Sequence, residues 1–318
     1  MTESDYIVPA GSPPQRLDVF LTHAFPRGSR QRVRALIEAD AVRVNGRRRP
    51  KGAMLQAGDV VRVTADSAPA RLAANDSLRV AVLHEDADVI VVDKPAGMPS
   101  HAVRPDDNNT VANFLLARYP ELRAVGSDPR EPGLVHRLDT GTSGVLVVAH
   151  RDPAYAALRQ QFAARTVIKE YVAMVSGDVT AAGEVRMPLA HDRRNPRRMR
   201  ACRSDDEAAA RRARPATTRY RPIERFGSET LLAIEIPTGV THQIRVHLAE
   251  IGHPIVGDRL YGSRDPVRQL LHARRITFTH PRSGERLTIE SPLPTDLQAH
   301  LENLRSDTAP HGGRRRAR

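Results

Sequence analysis

Cysteine is almost missing from this chain: Cys202 stands alone, which excludes an intramolecular disulfide and any multi-cysteine zinc site and fits a reducing compartment. It lies in RRMRACRSDDEAAARRAR, a polar stretch with no core pattern, and reads as an incidental thiol rather than a nucleophile. Long apolar runs are missing too. No segment approaches the roughly 18 residues that cross a bilayer, and MTESDYIVPAGSPPQ lacks the charged-then-apolar pattern of a secretory leader. A soluble, cytoplasmic protein without membrane contact is therefore expected. Lysine occurs only at Lys51, Lys94 and Lys169, so arginine is the default cation. A compact ammonium fits tight pockets that an arginine fork does not, which draws attention to Lys94 and Lys169.

What is present is positive charge: 49 basic against 37 acidic residues, a net +12, which favours a polyanionic partner and places nucleic acid ahead of a membrane surface. Arg193, Arg194, Arg197, Arg198, Arg200 and Arg203 fall in a stretch without an acid, and Arg314, Arg315, Arg316 and Arg318 end the chain. The first run is read as an RNA contact; the second is as consistent with a solvated tail. With 318 residues, of which 40% are hydrophobic, the chain can bury a substantial core and is expected to form one large and one small domain.

Residues 1–14 hold glycine and three prolines without periodicity and are expected to be a disordered lead-in. From Gln15, RLDVFLTHAF suggests a short amphipathic helix, and Ser29 caps a second one carrying Val33, Leu36 and Ile37 on one face. AVRVNGRRR alternates into an Asn45-Gly46 turn and AGDVVRV adds a strand. This order over residues 15–64 resembles an S4-type RNA-binding domain, which implies that Arg30, Arg34 and Arg47 contact structured RNA. Residues 65–78 have linker composition, residues 79–302 form the second domain, and residues 303–318 a basic tail.

In the second domain, VAVLHEDADVIVVDKPAG predicts two strands around an acidic turn. TVANFLLARY, DPAYAALRQQFAAR and QIRVHLAEIG predict helices; KEYVAMVSG and TLLAIEIP predict strands. LVHRLDTGTSGVLVVAH reads as strand, loop, strand. The irregular succession favours a mixed-sheet α+β fold over a doubly wound one. Asp139 stands on the loop of that last segment, with His136 and Arg137 before it and the Thr142 and Ser143 hydroxyls after it. An aspartate in such a loop caps the turn in the ordinary case, but the density of polar groups between apolar strands raises the odds of a site. TGTSG matches neither a phosphate-binding P-loop nor a hydrolase elbow. His242 and His247 lack the spacing of a zinc pair, so hydrogen-bonded histidines and no metal are expected.

The segments EDADVIVVDKPAGMPSHA, GLVHRLDTGTSGVLVVAH, FAARTVIKEYVAMVSG, IEIPTGVTHQIRVHLAEIGHPIVGDRLYG and LHARRITFTHPRSGERLTIESPLP resemble, in this order, the RluA-like pseudouridine synthases of large-subunit rRNA and tRNA. The resemblance implies an α+β catalytic domain with a mixed, mainly antiparallel sheet behind an S4-type domain, and isomerisation of uridine without cofactor or metal. It implies a catalytic carboxylate at Asp139, an active-site tyrosine that packs on the base at Tyr171, and an arginine paired with the aspartate at Arg245. It further implies that His136, Arg137, Thr142, Lys94, Lys169, His242 and Gln243 support the site or touch RNA. An arginine partner favours a carboxylate's charged form and fixes its direction. An aromatic face can hold a base turned out of its stack. This chain departs from the usual TGRTHQIRVH at Val240, which removes one RNA or loop contact. A monomer acting on 23S rRNA is expected, with tRNA as the alternative substrate; a non-catalytic ribosome-assembly protein on the same fold is the reading from another class.

Overall fold

The computed structural model describes residues 2–24, 30–65, 72–103, 107–262 and 267–308. Ser29, the expected helix cap, and the four terminal arginines lie outside them, as does the Arg30 side chain. The N-terminal unit contains β1 (Thr2–Ile7), β2 (Gln15–Arg16), α1 (Leu17–Ala24), α2 (Arg30–Glu38), β3 (Val42–Val44), β4 (Met54–Leu55) and β5 (Val60–Ala65). Leu17, Phe20 and Leu21 of α1 join Val33 and Ile37 of α2 and the inward residues of β3 and β5 in one small core. Asn45 and Gly46 both have positive φ, 50° and 76°, and Val44 and Arg47 exchange backbone hydrogen bonds across them, the geometry of a two-residue hairpin turn.

The lead-in expected to be disordered is ordered over its first half. Strand β1 pairs antiparallel with β5 from Thr2↔Ala65 to Ile7↔Val60, and Asp5 takes a two-pronged pair from Arg62 at 2.8 Å on each oxygen. Val8 is buried in the small core. The prolines that suggested disorder follow this strand, where they terminate it.

The larger unit runs β6 (Ala81–Glu85), β7 (Val89–Lys94), α3 (Val111–Arg118), β8 (Ser143–Ala149), α4 (Asp152–Ala164), β9 (Ile168–Ser176), β10 (Gly183–Arg186), β11 (Leu189–His191), β12 (Met199–Ala201), α5 (Asp205–Arg211), β13 (Thr217–Arg225), β14 (Glu229–Glu235), α6 (Gln243–Glu250), β15 (Leu271–Thr279), β16 (Arg286–Glu290) and α7 (Thr295–Thr308). Among the described residues nine of these strands form one sheet in the order β10-β13-β14-β9-β15-β8-β7-β6, with β16 also on β15. All pairings are antiparallel except β15 with β8, so the sheet is mixed and mainly antiparallel. The continuous apolar runs of β7 and β8 lie at the middle of the main core, buried along almost their whole length, as strands covered on both faces must be. Helix α4 starts with proline in its first turn and ends on Arg165 at φ 60°, a left-handed cap that satisfies its last carbonyls. No helix among the described residues is long and apolar enough to cross a membrane.

Three expected boundaries move. The later part of the expected linker packs on the large unit: Leu72 is buried in its core, and Asn113 Nδ2 donates to the Ala73 carbonyl at 2.7 Å. Residues 303–308 continue α7 instead of starting a tail. GLV before the Asp139 loop forms only an isolated bridge, Leu134↔Val148, because Gly133 turns at φ 66° and the His136 ring, not a backbone carbonyl, accepts from Val147 N at 2.9 Å.

Candidate active site

The loop that carries Asp139 is fixed from beneath. Thr142 N donates to Asp139 O at 3.0 Å, and the Ser100 hydroxyl both donates to Leu138 O at 2.9 Å and accepts from Leu138 N at 3.1 Å. Lys94, with no exposed surface, ends β7 under this loop and its ammonium donates to the carbonyls of Pro95 at 2.9 Å, Met98 at 2.6 Å and Thr140 at 3.1 Å. Burial pulls its pKa down to about 7, opposed by the charge of Asp139. Lys94 is thus a buried clamp between two loops. Gly144 closes the loop: at φ 111° a Cβ would meet Ala273 O at 2.2 Å, so only glycine lets β8 approach β15 there.

The hydroxyls of Thr142, which lines the cleft, and of Ser143 are engaged by neighbouring side chains. Both are buried; Thr142 Oγ1 accepts from Gln269 Nε2 at 2.8 Å, and Ser143 Oγ lies 3.0 Å from His272 Nδ1. Gln243 likewise ties loops together, donating to Thr217 O at 2.7 Å and accepting from Val240 N at 3.1 Å. His136 is stacked on Phe162 with ring centroids 4.7 Å apart, and burial holds it neutral, its pKa down to about 3. His247 is held by Thr218 and the Met187 carbonyl, an ordinary buried histidine.

Arg245, on the buried face of α6, brings the distant pieces together. Its Nη1 donates to Asp139 Oδ2 at 3.0 Å, while Nε and Nη2 grip Asp258 at 2.6 and 2.9 Å. The Asp258 side chain is 1% exposed and that of Asp139 24%, so one carboxylate anchors the guanidinium and the other faces the cleft. Burial works against the Arg245 cation, but the Asp258 hydrogen bonds and the two negative charges outweigh it and hold its pKa above the ordinary arginine value. Tyr171 comes from β9, where it pairs with Ile234 and Ala273, and lines the same cleft as Asp139 and Arg245. Burial pushes its hydroxyl well above the usual tyrosine range, and the charge of Asp139 adds to the shift. His242 Nε2 is 3.9 Å from Asp139 Oδ2.

The cleft measures about 770 Å³ and is walled by Arg137, Arg159, Arg165, Lys169, Arg214 and Arg245, against the acids Glu131 and Asp139. An excess of cations over acids in a concave surface concentrates a polyanion there. Lys169 donates to Thr238 O at 3.0 Å, and burial followed by the charge of Arg165 lowers its pKa to about 8. Arg137 reaches Thr241 Oγ1 at 3.3 Å. Arg34 and Arg47 belong to the N-terminal unit and do not line this cleft; Arg34 is paired with Glu38 at 2.7 Å. Val240 is buried in a small apolar cluster with Leu189, Met199, Ala201 and Tyr261. That cluster also corrects the reading of Cys202: the supposedly coreless arginine run forms the β11–β12 hairpin, and Cys202 beside it is buried, with burial raising its pKa.

Among the described residues one group brings metal-binding atoms together, Asp86, Asp88 and His280. These atoms are already engaged: Asp86 Oδ2 lies 2.7 Å from His84 and 3.1 Å from His280, and Asp88 pairs with Arg151 and Arg282. Asp258 and Tyr261, which hold the Arg245 guanidinium from the side and across a ring face, were not singled out from the sequence, although both stand inside IVGDRLYG.

The sequence model of the RNA pseudouridylate synthase family matches residues 88–250, and that of the S4 domain residues 15–61. A protein of Chloroflexus aurantiacus described as an uncharacterized RNA pseudouridine synthase is 41% identical over 96% of this chain and 95% of its own length. Ribosomal large subunit pseudouridine synthase D of Xanthomonas campestris is 38% identical over 95% of this chain and 93% of its own. The solved structure of human RNA Pseudouridylate Synthase Domain Containing 4 superposes with a TM-score of 0.56 at 26% identity, covering 70% of this chain and 92% of that one. With its sheet, its S4 unit and its aspartate–arginine pair in a basic cleft, the chain belongs to the RNA pseudouridylate synthase family, of the RluA-like type.

Proposed function

We propose that this protein isomerises uridine to pseudouridine in 23S rRNA, acting as a monomer, with Asp139, Tyr171 and Arg245 as the residues that meet the reacting nucleotide. The observation that carries the reading is the Arg245 guanidinium, anchored by buried Asp258 and offering its remaining edge to Asp139 in a cation-walled cleft. The large-subunit preference is supported by the Xanthomonas campestris relative, whose name is that of a ribosomal large subunit pseudouridine synthase.

The chemistry asks little beyond these groups. The bond between N1 of the base and C1′ of the ribose breaks, the uracil turns, and C5 bonds to the same carbon; C5 gives up a proton and N1 ends with one, so composition does not change. Such an exchange needs a carboxylate whose direction is set before the nucleotide arrives, and a fork fixed on a second carboxylate supplies that preorganisation. It also needs a wall that holds the base while it turns. The rigid ring of Tyr171 offers a face at low entropic cost. The cations at the mouth match the phosphates on either side of an extruded nucleotide.

Incubation with 23S rRNA transcript or bulk tRNA, each tritiated at uridine C5, tests the reading by release of tritium. Release from 23S rRNA is expected. Release from tRNA alone would overturn the rRNA assignment, and none from either would overturn the proposed activity.

A further inference from the structure

Tyr261 makes a set of contacts that the reaction as described does not use. Its ring carries two guanidiniums, Arg245 at 5.1 Å and Arg198 of the arginine hairpin at 5.3 Å from the centroid. His242 meets the same ring edge-on, with centroids 5.7 Å apart and planes at 81°. The phenol oxygen accepts from Met199 N at 2.8 Å and lies 2.8 Å from His242 Nδ1. A buried tyrosine hydroxyl needs an acceptor for its own proton, and among the described residues Nδ1 is the one within reach. The His242 ring proton therefore sits on Nε2, the nitrogen turned to Asp139 Oδ2 at 3.9 Å. Arg245 holds that same oxygen, and Asp139 Oδ1 has no hydrogen-bond partner among the described residues. His242 itself occupies left-handed backbone at φ 56°, a conformation that packing must impose on a non-glycine residue.

We propose that Tyr261 is a positioning residue for the reaction: its hydroxyl fixes His242 as the neutral Nε2–H tautomer facing the catalytic carboxylate, and its ring ties that arrangement to the arginine hairpin through Arg198. The proposal rests on the assignment of Asp139 as the reacting carboxylate. Its consequence is a donor aimed at the Oδ2 side, which leaves Oδ1 for the nucleotide. Burial keeps His242 neutral; Asp139 favours its protonation, Arg245 opposes it, Asp258 favours it and Arg137 opposes it. A hydroxyl donating to Nδ1 favours the neutral ring as well, because an imidazolium has no lone pair to accept it.

Two readouts on the full chain test this. Long-range nitrogen–proton spectra of histidine-labelled protein, with His242 assigned by its loss in His242→Gln, are expected to show the Nε2–H tautomer, and Tyr261→Phe to shift His242 toward mixed or protonated forms. In tritium release, Tyr261→Phe is expected to lower kcat about tenfold with KM for the RNA little changed, and to move the acid limb of kcat to higher pH. His242→Gln, which keeps a donor but cannot titrate, should retain more activity than His242→Ala and show no such movement. An Nδ1–H tautomer in the wild type, or a Tyr261→Phe protein with wild-type spectrum and kcat, would overturn the proposal. Should Tyr261→Phe fail to fold, equal losses in His242→Gln and His242→Ala would overturn it as well. Because the spectrum needs no RNA, absence of tritium release from the wild type would sink the proposed activity and leave the tautomer to be decided separately.

Discussion

Replacing Asp258 by asparagine keeps the volume of the side chain and removes the charge that anchors Arg245. In the wild type, Asp258 receives Arg245 Nε at 2.6 Å, Arg245 Nη2 at 2.9 Å and Leu260 N at 3.1 Å. An amide must turn its NH2 toward at least one of these donors, so one charge-assisted bond becomes a donor–donor contact and the rest weaken. A hydrogen bond to a charged group contributes about 1.5–3 kcal/mol, and removing one partner of a buried pair costs about 3–5 kcal/mol, so a loss near 3 kcal/mol is expected. For a domain of this size that corresponds to a fall in Tm of about 6–12 °C. The guanidinium, held by a weaker anchor, loses its fixed direction, so kcat for tritium release should fall more than KM rises. Thermal unfolding and steady-state kinetics of Asp258→Asn measure both. A Tm within about 2 °C of wild type together with an unchanged kcat would refute the argument that Asp258 sets the arginine.

Other perturbations have equally definite outcomes. Lys94→Met leaves the carbonyls of Pro95, Met98 and Thr140 without their shared donor and should cost about 2–4 kcal/mol in denaturant unfolding, with Lys94→Arg failing to rescue because a fork replaces a point donor. The side chains of Arg165 and Arg214 line the cleft without a described hydrogen-bond partner; neutralising both to Gln should raise KM, leave kcat nearly unchanged and reduce the log–log salt slope of binding by about 0.7–0.9 per charge. Burial lowers the pKa of His272 from 6.5 to about 4. Between those values the unfolded chain binds a proton that the fold refuses. Stability from this residue is therefore complete above about pH 6.5 and declines toward pH 4 by up to about 1.4 kcal/mol per pH unit, and His272→Asn should flatten Tm against pH in that window.

Local signals carried much of the fold. The apolar runs of β7 and β8, the proline that opens α4 and the Asn45-Gly46 turn are each decided by a few neighbouring residues, and the structure follows them. Strand β1 was hidden because its partner lies far along the chain, Asp5 and Arg62 being 57 positions apart, and its short alternation is followed by prolines. The β11–β12 hairpin was hidden by its arginines: its two-residue period is carried by Met199 and Ala201 alone, too little to stand out. Thr142 and Ser143 read as open hydroxyls because sequence does not say which face of a tight loop is covered. The Asp139–Arg245 contact spans 106 positions and was legible through the family resemblance alone. Asp258 and Tyr261 had no such guide, since their work is done on Arg245 and His242 and becomes visible only when distances are.

The central claim is that Asp139 performs the chemistry in a site that Arg245 and Asp258 hold ready. Tritium release from C5-labelled 23S rRNA by Asp139→Asn, compared at equal folded concentration with wild type, tests it most directly. A fall of at least about 10³-fold with RNA affinity unchanged is expected, the order of loss when a group acting on the reacting atoms is removed. Release within about tenfold of wild type would contradict the account.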